Sequence, residues 1–390
     1  MVKNILYLSY DGMTDPLGQS QVLPYIIGLT KKGYHFHLIS FEKPDRFIAH
    51  KKDILQICEE NNITWVPMLY TKRPPLFSTM WDVWRMKKKA FELNKEYSFS
   101  IVHCRSYLSA LIGLSMKRRF KTAFLFDMRG FWADERVDGN IWNLKNPVYR
   151  WVYHFFKRQE LLFLNEADYT VSLTLSGKNE MLTWKGITGL KERVKVIPCC
   201  ADLNLFKPVS RDSEEFTLGY LGSLGTWYML TEMLMVFKKI KNEIPTAKFH
   251  FLTKDDPEII YMESNKMGIE LDDLIVEESD RKDIPFKTRN WNFSVFFILP
   301  CFSKLSSSPT KQGELMGMGI PIICNSGVGD VDLIVEKYQS GYVVPNVNQF
   351  NLDKLLNKKF EKETLKKGAN DHFSLIKGVD SYHMIYEKIC

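Results

Sequence analysis

Long apolar runs are missing from this chain. No stretch reaches the length that spans a bilayer, and Met1-Val2-Lys3-Asn4-Ile5-Leu6-Tyr7-Leu8 lacks the extended apolar core of a secretory leader. Any membrane contact is therefore expected to be peripheral, on a cytoplasmic protein. Metal-ligand spacing is missing too: His and Cys fall at no finger-like interval and the carboxylates form no DxD pair, so no metal is expected. No GxGxxG follows the first apolar run, which counts against a dinucleotide dehydrogenase. Cysteine is scarce and odd in number, with seven scattered at 58, 104, 199, 200, 301, 324 and 390, several in apolar runs. They read as reduced core residues, not a disulfide framework. A dominant charge sign is also lacking: 53 basic against 46 acidic side chains leave a net of +7. That balance fits an anionic small substrate or a membrane surface and gives no argument for nucleic acid.

What is present is alternation. At 390 residues the chain exceeds one ordinary core, so two domains are expected. Short apolar runs at 5–9, 35–41, 63–69, 100–104, 123–128, 169–173 and 194–198 alternate with helix-length segments. A second series follows at 217–221, 248–252, 293–299, 321–324 and 341–344. Strand and helix in alternation predict parallel sheets with right-handed crossovers, an α/β class. The aperiodic polar stretch 199–215 reads as a linker, with a boundary near 205–215. Open parallel sheets bind ligands outside the carboxyl ends of their strands, so the loops there are the places to look.

The segment Ser307-Ser308-Pro309-Thr310-Lys311-Gln312-Gly313-Glu314-Leu315-Met316-Gly317-Met318-Gly319 reads as loop, helix entry, short helix and glycine stop. Thr310 is the expected cap. Such an entry aims free N–H groups and a positive dipole end at whatever precedes it, and Lys311 adds a full charge. Glu314, one turn on, suits a pair of hydroxyls. Cation and amides for phosphate, carboxylate for ribose: this is the chemistry of a nucleotide-diphosphate site.

Other strand-end loops add candidates. Asp11 to Gln21 carries Gly12 and Gly18, which permit close backbone approach to a ligand, and a helix from about Gln19 to Lys32. His103-Cys104-Arg105-Ser106 and Asp127-Met128-Arg129-Gly130-Phe131-Trp132-Ala133-Asp134-Glu135 end two adjacent runs. Arg105 and Arg129 suit phosphate oxygens by forked donors, while Asp127, Asp134 and Glu135 suit acceptor hydroxyls or a proton. A salt-bridge cluster that only shapes the loop is the alternative. Gly222-Ser223-Leu224-Gly225-Thr226 forms a tight turn fit for backbone contact with a diphosphate. Trp81, Trp84, Arg85, Lys87, Lys88 and Lys89 combine tryptophan with dense positive charge, as at a peripheral membrane contact or on a half-solvated helix.

In this order the pieces resemble glycosyltransferase family 4, enzymes of the GT-B fold. The resemblance runs through Asp11 to Gln21, Asp127 to Trp132, Val196-Ile197-Pro198, Gly222 to Gly225, Ser308 to Gly319 and Gly329-Asp330-Val331-Asp332, and reaches the tail around Phe373 to Tyr386. It implies two Rossmann-like domains with parallel sheets facing across a cleft, and a final helix crossing back to the first. Residues 1–205, with 373–390 returning, would bind acceptor, and 206–372 would bind donor. The implied activity is retaining, metal-independent and cofactor-free transfer from a nucleotide-diphosphate sugar to a glycan or polyprenyl-diphosphate-linked acceptor in cell-surface polysaccharide synthesis. Arg129, Lys311, Asp127 and Glu135 would be catalytic. Gly18, Gln19, Gly222, Ser223, Ser308, Thr310, Lys311 and Glu314 would bind donor, and Arg105 and Asp134 acceptor. Glu314 matches the second of the family's paired glutamates, and Ser306 stands where the first would be. The family's arginine and lysine after the first strand of the second domain are replaced by Ser223 to Trp227, which leaves phosphate neutralisation to Lys311, Arg129, Arg105 or Lys254. Two other readings stand beside this one: a non-catalytic nucleotide-sugar-binding or membrane-associated assembly subunit, and a nucleotide-sugar epimerase.

Overall fold

The computed structural model describes residues 3–390. It divides into two compact units, Met1–Pro198 with Leu375–Cys390, and Cys199–Ser374. The first holds β1 (Lys3–Ser9), β2 (Tyr34–Glu42), β3 (Ile63–Leu69), β4 (Ile101–Arg105), β5 (Ala123–Asp127), β6 (Tyr169–Ser172) and β7 (Val194–Val196). Their order across the sheet is β3-β2-β1-β4-β5-β6-β7, every pair parallel. Central strands are buried along their length, β4 at all five positions, which is why they read as continuous apolar runs. The order reverses beside β1, between β2 and β4, so the carboxyl ends of β1 and β4 form the switch point where such sheets take ligands.

The second unit repeats the scheme with β8 (Thr217–Leu221), β9 (Lys248–Leu252), β10 (Leu274–Glu277), β11 (Phe293–Phe296), β12 (Ile322–Cys324) and β13 (Gly341–Val343), ordered β10-β9-β8-β11-β12-β13 and all parallel. Here the switch lies between β8 and β11. Its core runs through Leu218, Tyr220, Phe237, Phe249, Phe251, Val295 and Ile323, all essentially excluded from solvent. β10 was not among the sequence-predicted strands: four residues that end in Glu277 and are flanked by Asp272, Asp273 and Glu278 carry too little apolar signal.

The last helix, Leu375–Ile389, belongs to the first unit, as the fold read from the sequence requires. It packs on the helix Leu23–Thr30 and buries Val379, Tyr382 and Tyr386. Among the described residues no helix is long and apolar enough to cross a membrane.

Candidate functional site

In the second unit the turn after β8 and the helix Thr310–Gly317 come together. Gly222 adopts φ +101, open to glycine alone without strain, and its N–H donates to the Leu252 carbonyl at 2.9 Å. A Cβ placed on Gly222 would lie 3.5 Å from Lys311 Nζ, so the glycine backbone borders the lysine. Asp255 fixes the rest of the turn, accepting from Ser223 Oγ at 3.3 Å and from the Leu224 N–H. The helix begins one residue earlier than expected for a threonine cap. Pro309 is the boundary residue, no side chain caps it, and Thr310 is already helical.

Lys311 has the most unusual setting in the unit. It is 8% exposed, and Nζ has no hydrogen-bond partner among the described residues. The ammonium lies 3.8 Å from the Tyr228 ring centroid and 4.3 Å from that of Tyr220, a cation held by π-faces alone. Burial lowers its pKa to about 7, only partly opposed by Glu314 and Asp255. Glu314 is buried and forms an ion pair with Arg281 at 2.8 Å; burial raises its pKa while Arg281 and Lys311 oppose the rise. The Arg281 guanidinium in turn lies 4.7 Å from the Phe206 ring centroid. One oxygen of Glu314 is thus engaged by a cation that the sequence reading did not name.

The other donor candidates fall around this centre. Ser308 Oγ accepts the Cys199 N–H at 3.2 Å, Thr310 opens the helix, and Lys254 is exposed in the turn after β9. The Ser306 hydroxyl bends back to the Ser303 carbonyl at 2.9 Å. A second cation, Lys304, is buried in the loop after β11 with its ammonium 3.6 Å from the Trp227 ring centroid.

The first unit gathers a polar cluster at the ends of β1, β4 and β5. Arg105, 3% exposed, donates through Nε to Asp11 Oδ2 at 3.1 Å, and one of its Nη atoms is buried without a hydrogen bond. Asp127 is buried. It accepts from Tyr382 of the last helix at 3.1 Å, with His103 Nε2 at 3.5 Å and an Arg129 Nη at 3.8 Å. Burial pushes its carboxyl up, but Arg129, His103 and Arg105 outweigh that and hold it below the usual carboxylate range. Ser106 (φ +67) and Arg129 (φ +59) both take left-handed backbone directly at these strand ends. His103 and Tyr382 were not among the sequence candidates.

Other candidates lie apart from this cluster. Asp134 is engaged by Tyr153 at 2.8 Å and Lys157 at 2.8 Å, and Lys157 reaches on to the buried Glu160, which also takes the Tyr107 hydroxyl. That geometry fixes the helix Trp132–Asp138 against Pro147–Glu166 and turns Asp134 inward. Burial raises Glu160 to about 7, opposed by Lys157. Glu135 sits half-buried on the same short helix. Gly18 and Gly12 approach each other closely: a Cβ on Gly18 would fall 2.2 Å from the Gly12 carbonyl oxygen. Any side chain at Gly18 would therefore collide with the loop's own backbone. Gln19 is exposed and donates to the Thr14 carbonyl at 3.2 Å, and the helix starts at Pro16, breaks after Gln21 and resumes at Leu23.

Two doubly wound parallel units, each with charged groups at its sheet's switch point, define a GT-B fold. Residues 22–205 match the family model described as Glycosyltransferase Family 4, and with the structural likenesses this bears out the resemblance read from the sequence. A sucrose-phosphate synthase from Thermosynechococcus elongatus aligns with a TM-score of 0.77 at 14% identity, over 99% of each chain. HepE of Anabaena, in complex with UDP-glucose, aligns at 0.69 and 13%, again over 99% of both. A UDP-GlcNAc 2-epimerase from Neisseria meningitidis bound to UDP-GlcNAc aligns at 0.60 and 11%, over the whole of both chains. No curated protein sequence matches the chain. The fold is thus glycosyltransferase-like, with nucleotide-sugar-binding proteins among the structures it resembles.

Proposed function

We propose that the protein is a retaining glycosyltransferase that moves a sugar from a nucleotide-diphosphate sugar to a glycan or lipid-linked acceptor in cell-surface polysaccharide synthesis. The second unit takes the donor and the first the acceptor, on the cytoplasmic side of the membrane. The observation that carries this reading is Lys311: a buried ammonium with no hydrogen-bond acceptor, at a helix start and against a glycine backbone. Such a group costs folding energy unless an anion meets it.

The chemistry follows from charge. As the donor C1–O bond loosens, the diphosphate gathers negative charge, and Lys311 with the amides at 310–312 stabilises it. The acceptor hydroxyl attacks from the face the leaving group vacates and gives its proton to the departing diphosphate oxygen, so anomeric configuration is kept. No protein nucleophile and no metal enters the scheme. Glu314 receives ribose hydroxyls on the oxygen that Arg281 leaves open. Asp127, locked by Tyr382, positions Arg129, while Arg105 and Glu135 order the acceptor. The departures at Ser306 and at 223–227 are met by Lys304, the second buried cation beside that turn.

A thermal-shift panel of UDP, GDP, ADP, TDP and their sugars tests the reading. One nucleoside diphosphate should stabilise the protein by about 2.7 kcal/mol at a hundredfold excess over Kd, several degrees in Tm. The matching monophosphate should do much less. No shift with any diphosphate would remove the donor assignment. Incubating the sugar nucleotide alone separates the rivals, since only an epimerase converts it. Binding with no turnover across a broad acceptor panel would favour the assembly-subunit reading.

A further inference from the structure

Two stacked aromatic pairs stand in the open on the helical flank of the first unit. On Phe77–Tyr97, Trp81 and Trp84 stack at 4.9 Å between ring centroids while each remains about half exposed, and Lys88 Nζ lies 5.8 Å from the Trp84 centroid. Asp82 anchors this helix from below, accepting from Thr71 and Tyr10, and draws Arg85 inward with it. Arg85 therefore leaves the outer face expected for it. On Pro147–Glu166, Trp151 is 69% exposed and stacks on Phe155 at 5.8 Å, in a groove shared with Arg150, His154 and Arg158.

The pairs belong to one strip. Positions 151, 155 and 159 share a helix stripe. Gln159 ends the Trp151 groove and also lines the next groove, together with Val83, Lys87 and Arg118. Between the two helices lies Ser106–Phe120, packed against both. Arg118 is partly neutralised by Glu166 at 3.1 Å. Lys87, Lys88, Arg150 and Arg158 form no ion pair among the described residues, and single exposed aromatics would be ordinary where two stacked pairs beside unpaired cations are not.

We propose that this strip is a docking surface for an anionic lipid bilayer, with the indole and phenyl rings at headgroup depth and the cations against lipid phosphates. It extends the single tryptophan segment legible in the sequence to a second helix. The link to a lipid-borne acceptor rests on the proposed function; the docking itself does not.

Co-sedimentation with vesicles of phosphatidylcholine, with and without phosphatidylglycerol, tests it. Binding should require phosphatidylglycerol and weaken with salt. Arg150→Gln with Arg158→Gln should weaken it roughly fivefold per lost cation. Trp84→Ala with Trp151→Ala should weaken it at least as much, with circular dichroism and the diphosphate thermal shift unchanged. Absence of binding, equal binding to pure phosphatidylcholine, or insensitivity to both double variants would overturn the proposal. So would binding to a single-stranded oligonucleotide without binding to vesicles, or a strip-dependent dimer in sedimentation velocity. Because the diphosphate shift is read on the same samples, failure here and failure of the donor assignment are told apart.

Discussion

Lys311→Met is expected to weaken donor binding severely while making the empty protein harder to melt. The lysine sits among Tyr220, Tyr228 and Gly222 with nothing to accept its protons, so its charge is a cost in the unliganded fold. The unfolded chain carries this group at 10.5 and the folded one at about 7, so between those values the unfolded state holds one more proton. Stability contributed by this group therefore rises as pH climbs from 7 towards 10.5. Methionine fills the same channel without charge and recovers on the order of 3 kcal/mol at neutral pH. Loss of a preorganised cation from the leaving group should lower turnover roughly a hundredfold to a thousandfold. A methionine variant that melts below wild type, or that keeps its diphosphate shift, would defeat the assignment.

The same lysine makes donor affinity depend on pH. A diphosphate favours the ammonium and pulls its pKa back up, so binding above pH 7 must take up a proton. Affinity should fall as pH rises from 7 to 9, and calorimetry in buffers of different ionisation enthalpy should report the uptake. In Lys311→Met both signatures should vanish.

How much was legible follows from distance along the chain. The helix entry from Ser308 to Gly319 needs only neighbours, and its Lys311 and Glu314 spacing could be read directly. The parallel sheets were legible because strands buried on both faces read as apolar runs, whereas β10 is too short and too acidic at its ends. Partnerships made by the fold left no local trace. Tyr382 reaches Asp127 across 255 positions, and Arg281 meets Glu314 from a separate loop. The glycines at 12 and 18 could be picked out by type, but the close packing of Gly18 on Gly12 within one loop, and of Gly12 on Phe41 and Glu42, is made by the fold. Lys304 stood in plain view among serines, yet its stacking on Trp227 depends on β8 and β11 being neighbours.

Glu42, absent from every sequence expectation, should show the largest stability effect. It ends β2, is wholly buried, and its carboxylate accepts four hydrogen bonds: Met13 N–H at 2.8 Å, Thr14 N–H at 3.0 Å, and the Thr14 and Ser40 hydroxyls at 2.5 Å each. These bonds fold the loop after β1 down onto the sheet, and that loop carries Asp11 to Arg105. Glu42→Ala strands two buried N–H groups and two hydroxyls. At 1–3 kcal/mol for each unsatisfied backbone donor the loss is about 4 kcal/mol, or roughly 8–16 °C in Tm for a unit of this size. Glu42→Gln, which keeps one accepting oxygen but turns an NH2 towards donors, should fall between. The diphosphate shift, which depends on the second unit, should survive in Glu42→Ala while acceptor-dependent turnover collapses, because Arg105 loses its partner. A melting curve within two degrees of wild type would mean that the loop after β1 is held by something other than this carboxylate, and Arg105 would then have to be positioned without it.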